Sequence, residues 1–422
     1  MKLAASFILL VAVSCLAQSP IKHVVVIVKE NQSMNSYFGR YPGVTGVTTW
    51  VTSTGVTVPL KTISDTQPNC PHRWVDSQTD IHMGKMDGFD KTCAHLGAYV
   101  QADSTTVPSY WAYARQYALA NRMFAQLSGP SFPNHLLIFT ERNNRVIENP
   151  NTDFGTIART VGWGCDAAAA GYTAVSIDPT NGTRYTQAPC FAMATMGDIL
   201  SHAEISWKIY APQPTKNIAY VWNFGSYISN LWYGAQRARD VGVPQFDIDV
   251  ANGDLPQVSW LIPGLAESEH APQSLRAGMN WTVARINKLM AAKEKDGSST
   301  WASTLIIVTW DDWGGYVDSV APPVRNYFGL GIRVPLLVIS PFAKHGYISN
   351  TVYSFDSINK TIEKLFGVRC LVTDCNAVVR DLTDMLNLSP GATPQPPLFL
   401  SAQPYTESKH LELDGMVDED DD

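Results

Sequence analysis

The run Val24-Val25-Val26-Ile27-Val28 constrains this chain more than any other segment. Consecutive β-branched residues leave no polar face, so the run reads as a strand buried on both sides, as in a parallel sheet covered by helices. It stops at Lys29-Glu30-Asn31. Open α/β sheets gather ligand chemistry at the carboxyl ends of their strands. A carboxylate beside an amide offers two oxygens to a hard divalent cation. On this spacing alone, a plain strand end followed by a helix cap stays open.

A second buried strand is expected at Thr304–Trp310, TLIIVTW, and it stops at Asp311-Asp312-Trp313-Gly314-Gly315. Adjacent carboxylates at such a place repel each other unless a cation sits between them. The two glycines permit close backbone approach. In Ser128-Gly129-Pro130-Ser131-Phe132-Pro133-Asn134-His135, two prolines flank a serine ahead of an apolar run. That puts Ser131 at or just before a helix N-terminus, where the dipole and free N–H groups favour an anion. An ordinary N-cap serine is the alternative.

The remaining sequence sets bounds. The 422 residues suffice for one large α/β domain with insertions or for two domains. A formal net charge of −7 argues against nucleic acid as a partner. The first residues read as a secretory signal: Lys2, an apolar core from Leu3 to Val13, and small residues at Cys15-Leu16-Ala17. Cleavage is expected after Ala17, with lipidation at Cys15 as the alternative, giving a secreted or periplasmic protein. No other apolar run is long enough to span a bilayer. An exported chain can hold disulfides, and the near pairs are Cys70 with Cys93, Cys165 with Cys190, and Cys370 with Cys375. Zinc ligation is the rival, but no cysteine pair has C-x-x-C spacing.

Along the chain, residues 43–60 read as an irregular hairpin and Tyr110 to Gln126 as one amphipathic helix. Residues 141–254 break the α/β rhythm and are expected to form a cap-like insertion, with a helix near 196–200 and a strand at 206–210. A strand at 258–262, helices at 280–293 and 358–366, and a late strand at 334–341 complete the outline. The catalytic domain is expected over 18–400, followed by a solvated acidic tail over 401–422.

The string Glu30 to Gly39, ENQSMNSYFG, closely resembles the E-N-R-S-F-D-x-Y-F-G signature of the phosphoesterase family. That family holds bacterial non-haemolytic and plant non-specific phospholipases C together with bacterial acid phosphatases. Asn69 to Trp74 and Gly84 to Phe89 resemble its H-S-W and G-K-M-D-G-F segments. Leu255 to His270 resembles V-S-W-x-x-P…S-E-H-P, and Asp311 to Asp318 resembles D-E/D-x-G-G-F-Y-D-H. The likeness runs from about Ile21 to Asp381.

The resemblance implies an alkaline-phosphatase-like α/β fold: a central, mostly parallel sheet with helices on both faces. It implies one divalent cation on Glu30, Asn31, Asp311 and Asp312. All-oxygen ligands suit Ca²⁺, Mg²⁺ or Mn²⁺ better than Zn²⁺. Ser131 is expected as nucleophile, His72 and His270 as phosphoryl donors or general acids, and Lys85, Asn134 and His135 as substrate contacts. The family's histidines are absent at Ser319, Asn350 and in Tyr353-Ser354-Phe355-Asp356-Ser357. Those departures lean towards an exported phosphatase that cleaves monoesters through a phosphoserine. A phospholipase C acting on lipid phosphodiesters is the alternative within the fold, with a phospholipid headgroup in place of a small phosphorylated substrate. An inactive exported binding protein is the alternative outside it.

Overall fold

A computed structural model describes residues 19–93, 97–151, 162–214, 220–371 and 378–405. The expected signal segment, most of the acidic tail and Cys375 of the third cysteine pair lie outside the described residues.

The centre is one eight-stranded sheet. Its strands are β1 (His23–Lys29), β2 (Ala118–Ala120), β3 (Trp207–Tyr210), β4 (Asp240–Val241), β5 (Val258–Leu261), β6 (Thr304–Trp310), β7 (Leu336–Ile339) and β8 (Tyr347–Ser349). Their spatial order is β4-β3-β5-β1-β6-β7-β2-β8. Only β7 runs against the others. The β-branched run of β1 sits between β5 and β6, parallel to both, with Val24 opposite Val258 and Lys29 opposite Trp310. Every residue of β1 and β6 is buried, as a strand covered on both faces must be.

Alternating side chains at the end of β1 show what covers each face. Lys29 reaches the helix Leu275–Ala291, where its ammonium bonds the Gly278 carbonyl at 3.2 Å. Glu30 reaches the opposite helix, Ser131–Thr140, through His135 at 2.7 Å. Helices therefore flank the sheet on both sides. Phe139 anchors the Ser131 helix against Phe224, Trp207 and Trp260, with ring centroids 4.9–5.9 Å apart.

Two expectations about the elements need correction. The helix foreseen over Tyr110 to Gln126 spans only Pro108–Gln116. Ala118–Ala120 is strand β2, with Leu119 opposite Leu337 and Ile348. Helical spacing of apolar residues is no guide where all faces are buried, and ladder partners on both sides decide the conformation. The insertion foreseen over 141–254 is also smaller. A separate antiparallel sheet forms from Val146–Pro150, Ala174–Ile177 and Arg184–Gln187, but β3 and β4 belong to the central sheet. The Cys70–Cys93 and Cys165–Cys190 disulfides form as expected from spacing, with Cα atoms 5.1 and 4.5 Å apart.

Candidate active site

Because β1 and β6 are neighbouring parallel strands with Lys29 opposite Trp310, the residues that follow each strand leave the sheet side by side. The Asp311 N–H donates to the Lys29 carbonyl at 3.0 Å, and the Asn31 N–H donates to Asp311 Oδ1 at 3.0 Å. Asn31 has φ 59°, a left-handed conformation that asparagine tolerates better than most residues. The glycines permit this approach. A Cβ on Gly314 would lie 2.7 Å from Asn31 Cβ, and one on Gly315 would lie 2.4 Å from Cys70 Cβ.

Glu30, Asn31, Asp311 and Asp312 are all buried. Glu30 Oε1 meets His135 Nε2 at 2.7 Å, which stands 3.8 Å from Asp311 Oδ2. Ser131 Oγ lies 3.3 Å from Asp312 Oδ2, while Asp312 Oδ1 takes the Gly314 N–H at 2.8 Å. Burial, then the neighbouring Asp311, hold the Glu30 carboxyl well above the usual carboxylate range. Burial and Asp311 do the same to Asp312, and His72 pulls it the other way. Burial pushes the His135 imidazole down to about 4. Among the described residues, no lysine or arginine pairs with Glu30, Asp311, Asp312 or Ser131.

Three buried oxygens here lack a hydrogen-bond partner among the described residues: Glu30 Oε2, Asn31 Oδ1 and Asp311 Oδ2. Buried polar atoms are rarely left so, and clustered carboxylates without a positive partner are worse. Donor atoms from Glu30, His135 and Asp311 lie within 4.8 Å of one another. The cluster therefore fits a divalent cation, which would occupy the lone pairs left over and offset the negative charge.

The histidine wall is built from the other side. His72 Nδ1 sits 2.7 Å from the Cys70 carbonyl, so that nitrogen carries the hydrogen and Nε2 faces the Asn31 amide nitrogen at 3.2 Å. This contact fixes which way the Asn31 amide turns and leaves its oxygen for the cluster. His270 follows β5, its Nδ1 2.6 Å from the Ala271 carbonyl. The rings form a row from Trp222 through His270 and His72 to Trp313, with centroids 5.6–6.0 Å apart.

The structure thus brings together Glu30, Asn31, Ser131, Asp311 and Asp312, with His72 against Asn31 and His270 against His72. It treats the three expected substrate contacts differently. Lys85 is exposed in a turn, and its amino group makes no hydrogen bond or ion pair among the described residues. The Asn134 amide is committed to the backbone at Leu127, Gly129 and Pro130, so it shapes the loop that delivers Ser131. His135 faces Glu30 and Asp311. Its position four residues after Ser131 on one helix was the available signal, because i and i+4 share a face.

The helix N-terminus is also less open than expected. The Phe132 N–H donates to Asn149 Oδ1 at 2.9 Å, and Pro133 has none.

Buried carboxylates at parallel strand ends, a serine against one of them and a wall of histidines make up the candidate site. The matching family model is described as the Phosphoesterase family and spans residues 21–369. The chain belongs to that family. It is 24% identical to a non-hemolytic phospholipase C of Burkholderia pseudomallei, over 92% of this chain and 62% of that protein. It is 23% identical to phospholipase C B of Mycobacterium tuberculosis, over 89% of this chain and 80% of that one. It is 22% identical to non-specific phospholipase C6 of Arabidopsis thaliana, over 95% of this chain and 80% of that one. The chain spans about three fifths of the length of the Burkholderia protein and of a Pseudomonas aeruginosa relative. Among solved structures it is similar to an alkaline-phosphatase-superfamily protein of Vibrio parahaemolyticus, with a TM-score of 0.40 and 12% identity, over 87% of this chain and 70% of that chain.

Proposed function

We propose that the protein is an exported, cation-dependent phosphoesterase that transfers the phosphoryl group to Ser131 and then to water, with a phosphodiester as its substrate. The observation that carries this reading is Ser131 Oγ, 3.3 Å from Asp312 Oδ2 at the start of a buried helix, beside three unpaired oxygens. The hydroxyl proton is aimed at Asp312. Attack forms the Oγ–P bond as the bond to the leaving oxygen breaks, and His72 or His270 donates the proton that oxygen needs. Water then attacks phosphorus and Ser131 leaves with its proton restored. A bound divalent cation supplies positive charge for the phosphoryl oxygens and lowers the pKa of the serine hydroxyl.

Charge favours a diester. Glu30, Asp311 and Asp312 crowd one small space, and no lysine or arginine pairs with them among the described residues. A diester brings one negative charge and a monoester up to two, so the diester is the easier guest. The phospholipases C among the relatives support the same choice. Monoester hydrolysis is the second reading, favoured by the histidines missing at Ser319 and Asn350. Two disulfides support export to an oxidising compartment.

The test compares p-nitrophenyl phosphorylcholine with p-nitrophenyl phosphate, using Ser131→Ala as blank. Faster diester turnover that falls at least ~10³-fold in the variant is expected. Faster monoester turnover establishes the second reading. Undiminished turnover in Ser131→Ala removes Ser131 as nucleophile.

A further inference from the structure

We infer that Glu269 is a positioning residue for the reaction: its carboxylate, seated on the sheet face away from the active site, holds a left-handed turn that aims His270 at the leaving oxygen. The assignment rests on the phosphoesterase reading above and gives to His270 the proton donation left open there between His270 and His72.

The backbone carries the first sign. Glu269 has φ 78°, a left-handed conformation that a residue with a Cβ adopts only when its surroundings impose it. Ser268, Glu269 and His270 lie beyond β5 and pass the end of β1. The Glu30 N–H donates to the Ser268 carbonyl at 3.0 Å, and the His270 N–H donates to Ser268 Oγ at 3.0 Å. From this turn consecutive side chains go to opposite faces. Glu269 joins Lys29, while His270 joins His72, with the imidazole centroids 6.0 Å apart.

What imposes the turn is the Glu269 carboxylate. It meets Lys29 at the end of β1 at 3.3 Å and Trp310 at the end of β6 at 3.1 Å. It also accepts from Tyr37 of the helix Met34–Phe38 at 2.7 Å and from Tyr110 of the helix Pro108–Gln116 at 2.5 Å. The stem lies so close to the helix Leu275–Ala291 that a Cβ on Gly278 would be 2.3 Å from Glu269 Cγ. Lys29 and Trp310 immediately precede Glu30 and Asp311. The carboxylate is therefore tied to both strands that carry the acidic cluster, and the place of His270 relative to that cluster is set through it.

The ring of His270 is oriented locally. Its Nδ1 is turned to the carbonyl of Ala271 at 2.6 Å. A bond to the next residue travels with the segment, so it orients the imidazole without locating it. With Nδ1 so directed, the proton for the leaving oxygen comes from Nε2. As Ser131 Oγ bonds phosphorus, the bond to the leaving oxygen breaks, and that oxygen keeps the bonding pair and takes the Nε2 proton. An alkoxide needs that proton and p-nitrophenolate leaves without it, so a misplaced His270 slows the first far more than the second.

The experiment uses the full chain supplied with Ca²⁺, Mg²⁺ and Mn²⁺. It compares turnover of dihexanoyl phosphatidylcholine, below its micelle concentration, with that of p-nitrophenyl phosphorylcholine. Glycerol phosphate and p-nitrophenyl phosphate form the pair if monoesters are the substrates. His270→Gln is expected to lower the alkyl-over-nitrophenyl ratio about 100-fold and Glu269→Gln about tenfold. The double variant should fall no further than His270→Gln, because one residue acts through the other. Loss of stability alone lowers both rates together and leaves the ratio in place. Should Glu269→Gln not fold, Tyr37→Phe, which removes one donor to the carboxylate, is expected to move the ratio in the same direction. A ratio that moves in His270→Gln but not in Glu269→Gln, or in Tyr37→Phe taken in its place, overturns the inference and leaves the phosphoesterase reading intact. A ratio unmoved in His270→Gln also overturns it and passes the proton donation to His72. No turnover of either pair by the wild type overturns both.

Discussion

Lys29 and Glu30 are consecutive, both fully buried, and they open two different worlds on the two faces of one strand end. On the Lys29 face, every atom of the Glu269 carboxylate is taken. Oε1 receives Tyr110 OH at 2.5 Å and stands 3.3 Å from the Lys29 ammonium. Oε2 receives Tyr37 OH at 2.7 Å and Trp310 Nε1 at 3.1 Å. Lys29 further donates to the Glu267 and Gly278 carbonyls. On the Glu30 face, carboxylates outnumber their partners and lone pairs go unused. The first cluster is complete without any guest and serves stability. The second is complete only with one, so its cost in the empty fold is the counterpart of its affinity for a cation.

Mutating either face tests the contrast, and the largest effect is expected on the complete one. Lys29→Met leaves Glu269 buried without its cation and should destabilise the fold by about 3–5 kcal/mol. Denaturant unfolding reads this, and a loss below 1 kcal/mol would show that the network is not what holds this end of β1. The Glu30 face should respond with the opposite sign. Burial and Asp311 already disfavour the charged form of Glu30, so Glu30→Gln should leave the metal-free protein melting no lower than wild type. It should also lose on the order of 100-fold or more in cation affinity by calorimetry. A next consequence is linkage: cation at about 100 times its Kd should stabilise wild type by about 2.7 kcal/mol and leave Glu30→Gln nearly unchanged. Equal stabilisation of both would place the cation elsewhere.

A pH dependence concerns Asp80, a carboxylate behind the histidine wall. Trp313 Nε1 donates to it at 3.0 Å and Thr92 Oγ1 at 2.6 Å. Burial pushes its pKa up to about 8 despite both donors. The folded state therefore holds a proton that the unfolded chain has released, over the range from about pH 4 to about pH 8. Stability falls as pH rises through that window. Asp80→Asn should flatten the decline in melting temperature between pH 5 and pH 8, taken as approximate limits of the window. An unchanged slope would assign the decline to other groups.

Much of the site was legible because it lies where chemistry interrupts a strong pattern. Two runs of buried-strand residues each end in acid, and both ends meet at one sheet edge. Ser131 was placed by its flanking prolines. The Lys29–Glu269 cluster was not legible, because nothing in the order Lys-Glu-Asn says that one charge will be matched across the sheet and the next left unmatched. Only the partners, more than two hundred residues away, decide it. The break at Tyr117 was hidden for a related reason. Ala118-Leu119-Ala120 has no polar residue to reveal a period of two, so its ladder partners made it a strand. His135 was visible as a residue of the site, but helical spacing from Ser131 shows a shared face without showing which carboxylates that face meets.

The parallel ladder that pairs Lys29 with Trp310 has one more implication. Side chains alternate along β1, so a shift of one residue against β6 turns every group to the other face. Such a slip would carry an ammonium into the acidic chamber and thrust Glu30 among the tyrosines that already hold Glu269. Both chambers would fail together. The strand between His23 and Lys29 is thus a fixed ruler for this fold, and insertions or deletions that the loops of the fold absorb are ones this segment cannot accept.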